Sequence, residues 1–113
     1  MAPRLRIALI SQDHSLANRM ELRLRSRGYQ VVSLARPASV LGFIYSDPPD
    51  LVIADLSTRD DETAGIIREL KRDSSFGVIP VIGLLPAPAD EGHDWSSLPL
   101  DDFLFPPVLF GEL

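Results

Sequence analysis

The sequence predicts an α/β domain built on a parallel sheet of five strands, and three observations carry that expectation. Short apolar runs alternate with segments of helical periodicity along most of the 113 residues, which is the rhythm of repeated βαβ units. One run, Leu51-Val52-Ile53-Ala54, offers no polar residue to water, as a strand covered on both faces requires. That run closes on Asp55. In open α/β sheets, ligands and chemistry collect just beyond the carboxyl ends of the strands, where a carboxylate can act as a metal ligand, a base or a nucleophile.

Each element follows from local pattern. Ile7 to Ile10 reads as the first strand. Ser15 is a capping residue for a helix through about Arg27, along which Leu16, Met20 and Leu24 recur at i, i+4 and i+8. Gly28 is placed to end that helix in the left-handed conformation. Val31 to Leu34 is a second strand, and Pro37 and Ser39 open a short helix carrying Val40, Leu41, Phe43 and Ile44. After the strand ending at Asp55, a helix over about 61–72 buries Ile66, Ile67 and Leu70. Val78 to Leu85 is a fourth strand and Asp102 to Phe105 a fifth. Between them, Pro86 to Pro99 is too rich in Pro, Gly and Ser for more than one short turn. The fourth helix is therefore expected to be degenerate. The chain stops at Leu113, about where a closing helix would begin, so a fifth helix is expected to be missing or truncated.

Composition bounds the function. The chain is long enough for one domain, 1–113. Hydrophobic residues at 45% and charged residues at 24% suit an ordinary globular protein. The formal net charge of −5 argues against nucleic-acid contact. Cysteine is absent, which excludes disulfides, thiol catalysis and thiolate metal sites. No apolar run is long enough to span a bilayer, and Ile7 to Ile10 is too brief for a signal-peptide core. No membrane contact and a cytoplasmic location are the expectations.

Three segments carry a more specific signal: PDLVIAD from Pro49 to Asp55, IPVIGLL from Ile79 to Leu85, and DDFLFPPV from Asp101 to Val108. With the βα rhythm and the spacing between them, the chain from Arg6 to about Leu113 resembles the response-regulator receiver domain, a flavodoxin-like (CheY-like) doubly wound fold. The resemblance implies a magnesium-dependent phosphotransfer site with Asp55 at the phosphoacceptor position. It also implies an acidic pair after the first strand, where this chain has Ser11 and Gln12. A Thr or Ser is implied at the end of the fourth strand, where this chain has Leu85, and a Lys at the end of the fifth, where it has Pro106. Phe103 stands at the position of the family's switching aromatic. Of the five phosphotransfer positions, Asp55, Ser11, Gln12, Leu85 and Pro106, only the phosphoacceptor matches.

These departures change the chemistry. Magnesium takes hard oxygen ligands in near-octahedral geometry, with carboxylates prominent among them, and Ser11 and Gln12 supply only neutral oxygens. Developing phosphoryl charge needs fixed donors or cations; Leu85 offers neither, and Pro106 lacks even an amide N–H. The reading is a pseudo-receiver: a two-component-type signalling module acting through phosphorylation-independent protein interaction or dimerisation. It would regulate an attached output domain, be no enzyme itself and need no cofactor. The start at Met1 and the stop at Leu113 point to the amino-terminal module of a longer signalling protein. A missing closing helix would leave an apolar flank beside the fourth and fifth strands, a surface for a second copy or an attached partner.

Two other readings stay open. In one, a histidine kinase phosphorylates Asp55, with Mg²⁺ held by Asp13 and Asp55 or by the loop acids Asp60, Asp61 and Glu62. In the other, a small ligand occupies the vacated pocket, lined by Leu85 and Pro106. The remaining features have plain explanations. The arginines of the first helix (Arg19, Arg23, Arg25, Arg27) make a solvated face paired with Glu21. His14 is a loop histidine beside the site, His93 has no partner at metal-ligand spacing, and Trp95 anchors the proline-rich connection.

Overall fold

The structure, a computed structural model, describes residues 5–56, 61–85 and 98–104. Eight elements follow in chain order: β1 (Arg6–Ile10), α1 (His14–Ser26), β2 (Gln30–Leu34), α2 (Pro37–Ser46), β3 (Leu51–Asp55), α3 (Asp61–Arg72), β4 (Val81–Leu84) and β5 (Asp102–Leu104). The strands form one sheet in the order β2-β1-β3-β4-β5, every neighbouring pair parallel. This is the doubly wound arrangement, in which the chain steps outward in opposite directions from β1 and opens a crevice at the carboxyl ends of β1 and β3. The five-stranded parallel sheet expected from the sequence is present.

The alternation of strand residues divides the core in two. On one face Ala8, Ile10, Val52, Ala54 and Val81 pack with Val40 and Ile44 of α2 and Ile67 and Leu70 of α3. On the other, Ile7, Leu9, Val31, Ile53 and Leu84 pack with Ala17, Met20 and Leu24 of α1. Successive residues of a strand point to opposite faces, so residues 7–10 of β1 and 51–54 of β3 are apolar without interruption because both faces are covered. Full burial of a side chain such as Ile53 contributes about 1.5–3 kcal/mol.

Local chemistry explains where several boundaries differ from the sequence expectation. Helix α1 starts at His14, capped by Asp13 and not by Ser15, because the Asp13 carboxylate accepts the Leu16 N–H at 3.1 Å. The fourth strand starts at Val81, three residues later than expected. Residues 73–79 are taken by a tight turn in which Asp73 Oδ1 accepts the N–H groups of Ser75 and Phe76. Val78 is left exposed on that turn. Ile66 is only half-buried, while Thr63 and Ala64 turn inward. Gly28 has φ +93°, as its terminating role requires. Arg25 pairs with Glu21 at 3.0 Å and also donates to the Val31 carbonyl on the edge strand β2. The expected degenerate fourth helix, the expected loss or truncation of a fifth, Phe105, His93 and Trp95 concern residues outside the described ones.

At the amino-terminal ends of the strands two ionic joints fix the loops. Arg6 grips the Asp47 carboxylate with both terminal nitrogens, and its own N–H donates to Asp50 at 2.8 Å. On the other side of the sheet, Lys71 Nζ donates to the carbonyls of Gly77 (3.2 Å) and Ile79 (2.7 Å) and to Asp101 Oδ2 (2.7 Å). The same Asp101 oxygen accepts the Val81 N–H at 2.7 Å, and the Asp101 N–H donates to the Val81 carbonyl at 2.9 Å. The Lys71 hydrogen bond is the main reason that Asp101 titrates below the ordinary aspartate value of 3.8.

Two outcomes follow from this packing. A Cβ added to Gly77 would lie 2.6 Å from the Asp73 carbonyl oxygen and 2.7 Å from that of Lys71. Gly77→Ala should therefore cost about 1–3 kcal/mol in urea denaturation, the usual range for overpacking. Gly42→Ala, with nothing within 4 Å, should instead stabilise α2 by about 0.5–1 kcal/mol. Because the folded-state pKa of Asp101 is depressed, its contribution is present above pH 3.8 and lost as pH falls through the lower folded value. The acid limb of a stability–pH curve should accordingly be shallower in Asp101→Asn than in the unaltered protein.

Candidate functional site

The carboxyl ends of β1, β3 and β4 bring Asp55, Ser11 and Leu85 together. Ser11 follows β1 directly and stays in the sheet, its N–H donating to the Leu34 carbonyl at 3.1 Å. That anchoring turns its hydroxyl toward β3, where it donates to Asp55 Oδ2 at 2.7 Å. The Ser11 Oγ in turn accepts the Asp13 N–H at 3.1 Å, so Ser11 joins the buried carboxylate to the start of α1. Asp55 is the last residue of β3, opposite Leu84 in register, and only 2% exposed. Its carboxylate is held by a short hydrogen bond of the charge-assisted type.

Leu85 is 2% exposed and packs in the same cluster as Leu56, Ile79 and Leu98, so the expected hydroxyl position is part of the apolar core. Gln12 is exposed and engaged in an interaction of its own. Asp13 is exposed, and its Oδ1 is committed to the Leu16 N–H. His14 begins α1 on the surface. The backbone of Phe103 pairs with Gly83 in the middle of β5, while its side chain and all of Pro106 lie outside the described residues. Asp60 also lies outside them. Asp61 opens α3, and Glu62 is an exposed residue of its first turn.

Sequence reasoning did not single out Thr63. It is 2% exposed on α3 and has a polar partner. A buried threonine two residues into a helix gives no periodic signal that separates it from a solvated first-turn threonine. Ser11 was visible as a departure from an acidic pattern, but not as the donor to Asp55.

Mg²⁺ takes six hard oxygens, usually with one or two carboxylates among them. Here one oxygen of the single buried carboxylate is taken by a hydroxyl, Gln12 and Ser11 are neutral, and Asp13 caps a helix. Among the described residues no three of His, Cys, Asp or Glu gather where they could share a metal ion. These residues do not fit the cation that the family resemblance implies.

Comparisons with known proteins agree on the fold. No family model matches the chain. Two curated proteins, each named "Probable transcriptional regulator ycf27", are similar over 110 residues and 96% of this chain. The one from Porphyridium aerugineum is 30% identical and the one from Guillardia theta 27%. The chain spans 44% and 42% of their lengths, less than half in each case. Among solved structures, the receiver domain of sensor histidine kinase PA1611 from Pseudomonas aeruginosa superposes with a TM-score of 0.84 at 21% identity, covering 97% of this chain and 91% of that one. That receiver carries a magnesium ion coordinated in its active-site cleft. The chemotaxis response regulator CheY4 of Vibrio cholerae gives 0.82 at 14% identity, covering 96% and 92%.

Removing the Ser11 hydroxyl should leave the Asp55 carboxylate short of a donor inside the protein. Ser11→Ala is expected to cost about 1–3 kcal/mol at neutral pH in urea denaturation, the usual penalty for an unmatched buried group. Adding Asp55→Asn should recover part of that loss, so that the two substitutions together cost less than their sum. Strict additivity would mean that the two side chains do not share an interaction.

Proposed function

We propose that this chain, whose fold is that of the response-regulator receiver domain, is a pseudo-receiver of two-component-type signalling. It transmits through protein contacts and not through a phosphoryl group on Asp55. One observation carries the reading: the Ser11 hydroxyl occupies Asp55 Oδ2 at 2.7 Å, at the position where a receiver has an acidic, metal-holding residue. A hydroxyl donor stabilises the buried carboxylate without a cation. It thereby removes the pairing that would draw Mg²⁺, and with it the charge that assists phosphoryl transfer. The burial of Leu85 in the core supports the same conclusion, because that position then offers no hydroxyl to a phosphoryl oxygen.

On this reading the domain works in the cytoplasm, is not an enzyme, and regulates an attached output domain. The similarity to proteins named as transcriptional regulators, of which the chain matches less than half, supports an output domain of that kind. Its contacts are with that domain or with a second copy, through the surface beside β4 and β5. No helix among the described residues is long and apolar enough to cross a membrane, in keeping with that setting. A second reading is favoured by Asp55 itself, which stands at the carboxyl end of the middle strand with its side chain type intact. There it would be the acceptor for a histidine kinase.

Incubation with acetyl phosphate and Mg²⁺ followed by intact-mass spectrometry separates the two. The pseudo-receiver reading expects no phosphoryl adduct on the unaltered protein or on Asp55→Asn. An adduct lost in Asp55→Asn establishes the acceptor reading instead. Sedimentation of the domain at high micromolar concentration should show self-association, and a monodisperse monomer counts against a dimer.

A further inference from the structure

We infer that the Lys71–Asp101 joint is a charge-held latch for β5, so that the sheet edge seats and unseats independently of the rest of the sheet. Among the described residues, strand β5 has three residues and pairs with β4. Asp101 immediately precedes it and grips Val81, the first residue of β4, on both of its backbone groups. The Asp101 N–H donates to the Val81 carbonyl at 2.9 Å, and Oδ2 accepts the Val81 N–H at 2.7 Å. A side-chain oxygen thus stands where a neighbouring strand would ordinarily present a carbonyl.

Lys71 fixes that oxygen. Its ammonium, on a side chain 14% exposed, sits among three oxygens: the Gly77 and Ile79 carbonyls and Asp101 Oδ2. It behaves as an internal cation binding the end of α3, the 77–79 turn and the entry to β5. A Cβ at Gly77 would meet the carbonyl oxygens of Asp73 and Lys71, so the turn packs closely against the end of α3. Of the acids nearby, Asp73 is spent on the Ser75 and Phe76 amides, and Asp102 points from β5 with an exposed side chain and an interaction of its own. Asp101 is therefore the carboxylate that closes the joint, and it is half exposed, within reach of screening by salt. Strands β1 and β3 are paired on both sides and have no such dependence. The latch stands at the opposite end of the sheet from Asp55 and holds whether or not Asp55 accepts a phosphoryl group.

Amide hydrogen exchange by NMR tests the latch. Lys71→Met keeps the length of the side chain and removes its charge. Exchange at Val81 and at 102–104 should then quicken by about tenfold or more, the scale of one charge-assisted hydrogen bond, while the amides of β1 and β3 hold their rates. Asp101→Asn leaves an acceptor for Val81 but no charge, and should give the same local pattern. In the unaltered protein, added salt should speed exchange at these β5 sites, an effect absent from both variants. Should Lys71→Met fail to fold, Asp101→Asn and the salt series still decide the matter. Equal acceleration in every strand would overturn the latch, as ordinary destabilisation; so would unchanged exchange at β5, or no protection there in the unaltered protein.

Discussion

A carboxylate at 2% exposure on the end of a fully buried strand has to be met by donors, and the hydrogen bond from Ser11 to Asp55 meets that demand. Leaving a buried charge without such a partner is among the more expensive faults a core can have. The arrangement around it follows. Ser11 must stay in the sheet to aim its hydroxyl, so the β1–β2 ladder extends one residue beyond β1. Its oxygen also receives the Asp13 N–H, which sets where α1 begins. One hydroxyl thereby links β3, β1 and the first turn of α1.

The parallel sheet separates this site from the ionic joints. At the carboxyl ends, among the described residues, Asp55 and Ser11 form a small buried polar pair, while Leu56 and Leu85 are buried in the apolar core. At the amino ends, charge is partly solvated and does mechanical work: Arg6 with Asp47 beside β1, and Lys71 with Asp101 between α3 and β5. Exposed pairs of this kind contribute little stability one by one. The Lys71 joint differs, because its ammonium is mostly covered and bonds three oxygens at once.

Much of the fold could be read from local pattern. The run Leu51–Asp55 is apolar throughout up to its closing carboxylate, 61–72 carries a period-3.6 signal, and both elements begin and end where those signals do. Gly28 was legible because only one residue type takes its backbone conformation at little cost. What failed was competition between equivalent residues and contacts distant in sequence. Asp13 and Ser15 are both good caps, and the choice between them came from Ser11 receiving the Asp13 N–H. Val78 looked like strand because the turn's ties from Lys71 and Asp73 are side-chain hydrogen bonds that no hydrophobic pattern reports. At the site, the positions of Ser11, Asp55 and Leu85 at neighbouring strand ends followed from the βα rhythm. That the Ser11 hydroxyl donates to Asp55 required the geometry, as did the use of Asp13 as a cap.

The central claim is that a hydroxyl has taken the place of a cation beside Asp55. An amide NMR titration with Mg²⁺ and then beryllofluoride, with Asp55→Asn as control, tests it most directly. The account predicts no saturable shifts at Ser11, Asp13 or Asp55 up to millimolar Mg²⁺, and no further change with beryllofluoride. Saturable shifts centred on those residues and abolished by Asp55→Asn would contradict it and restore a metal-dependent phosphorylation switch.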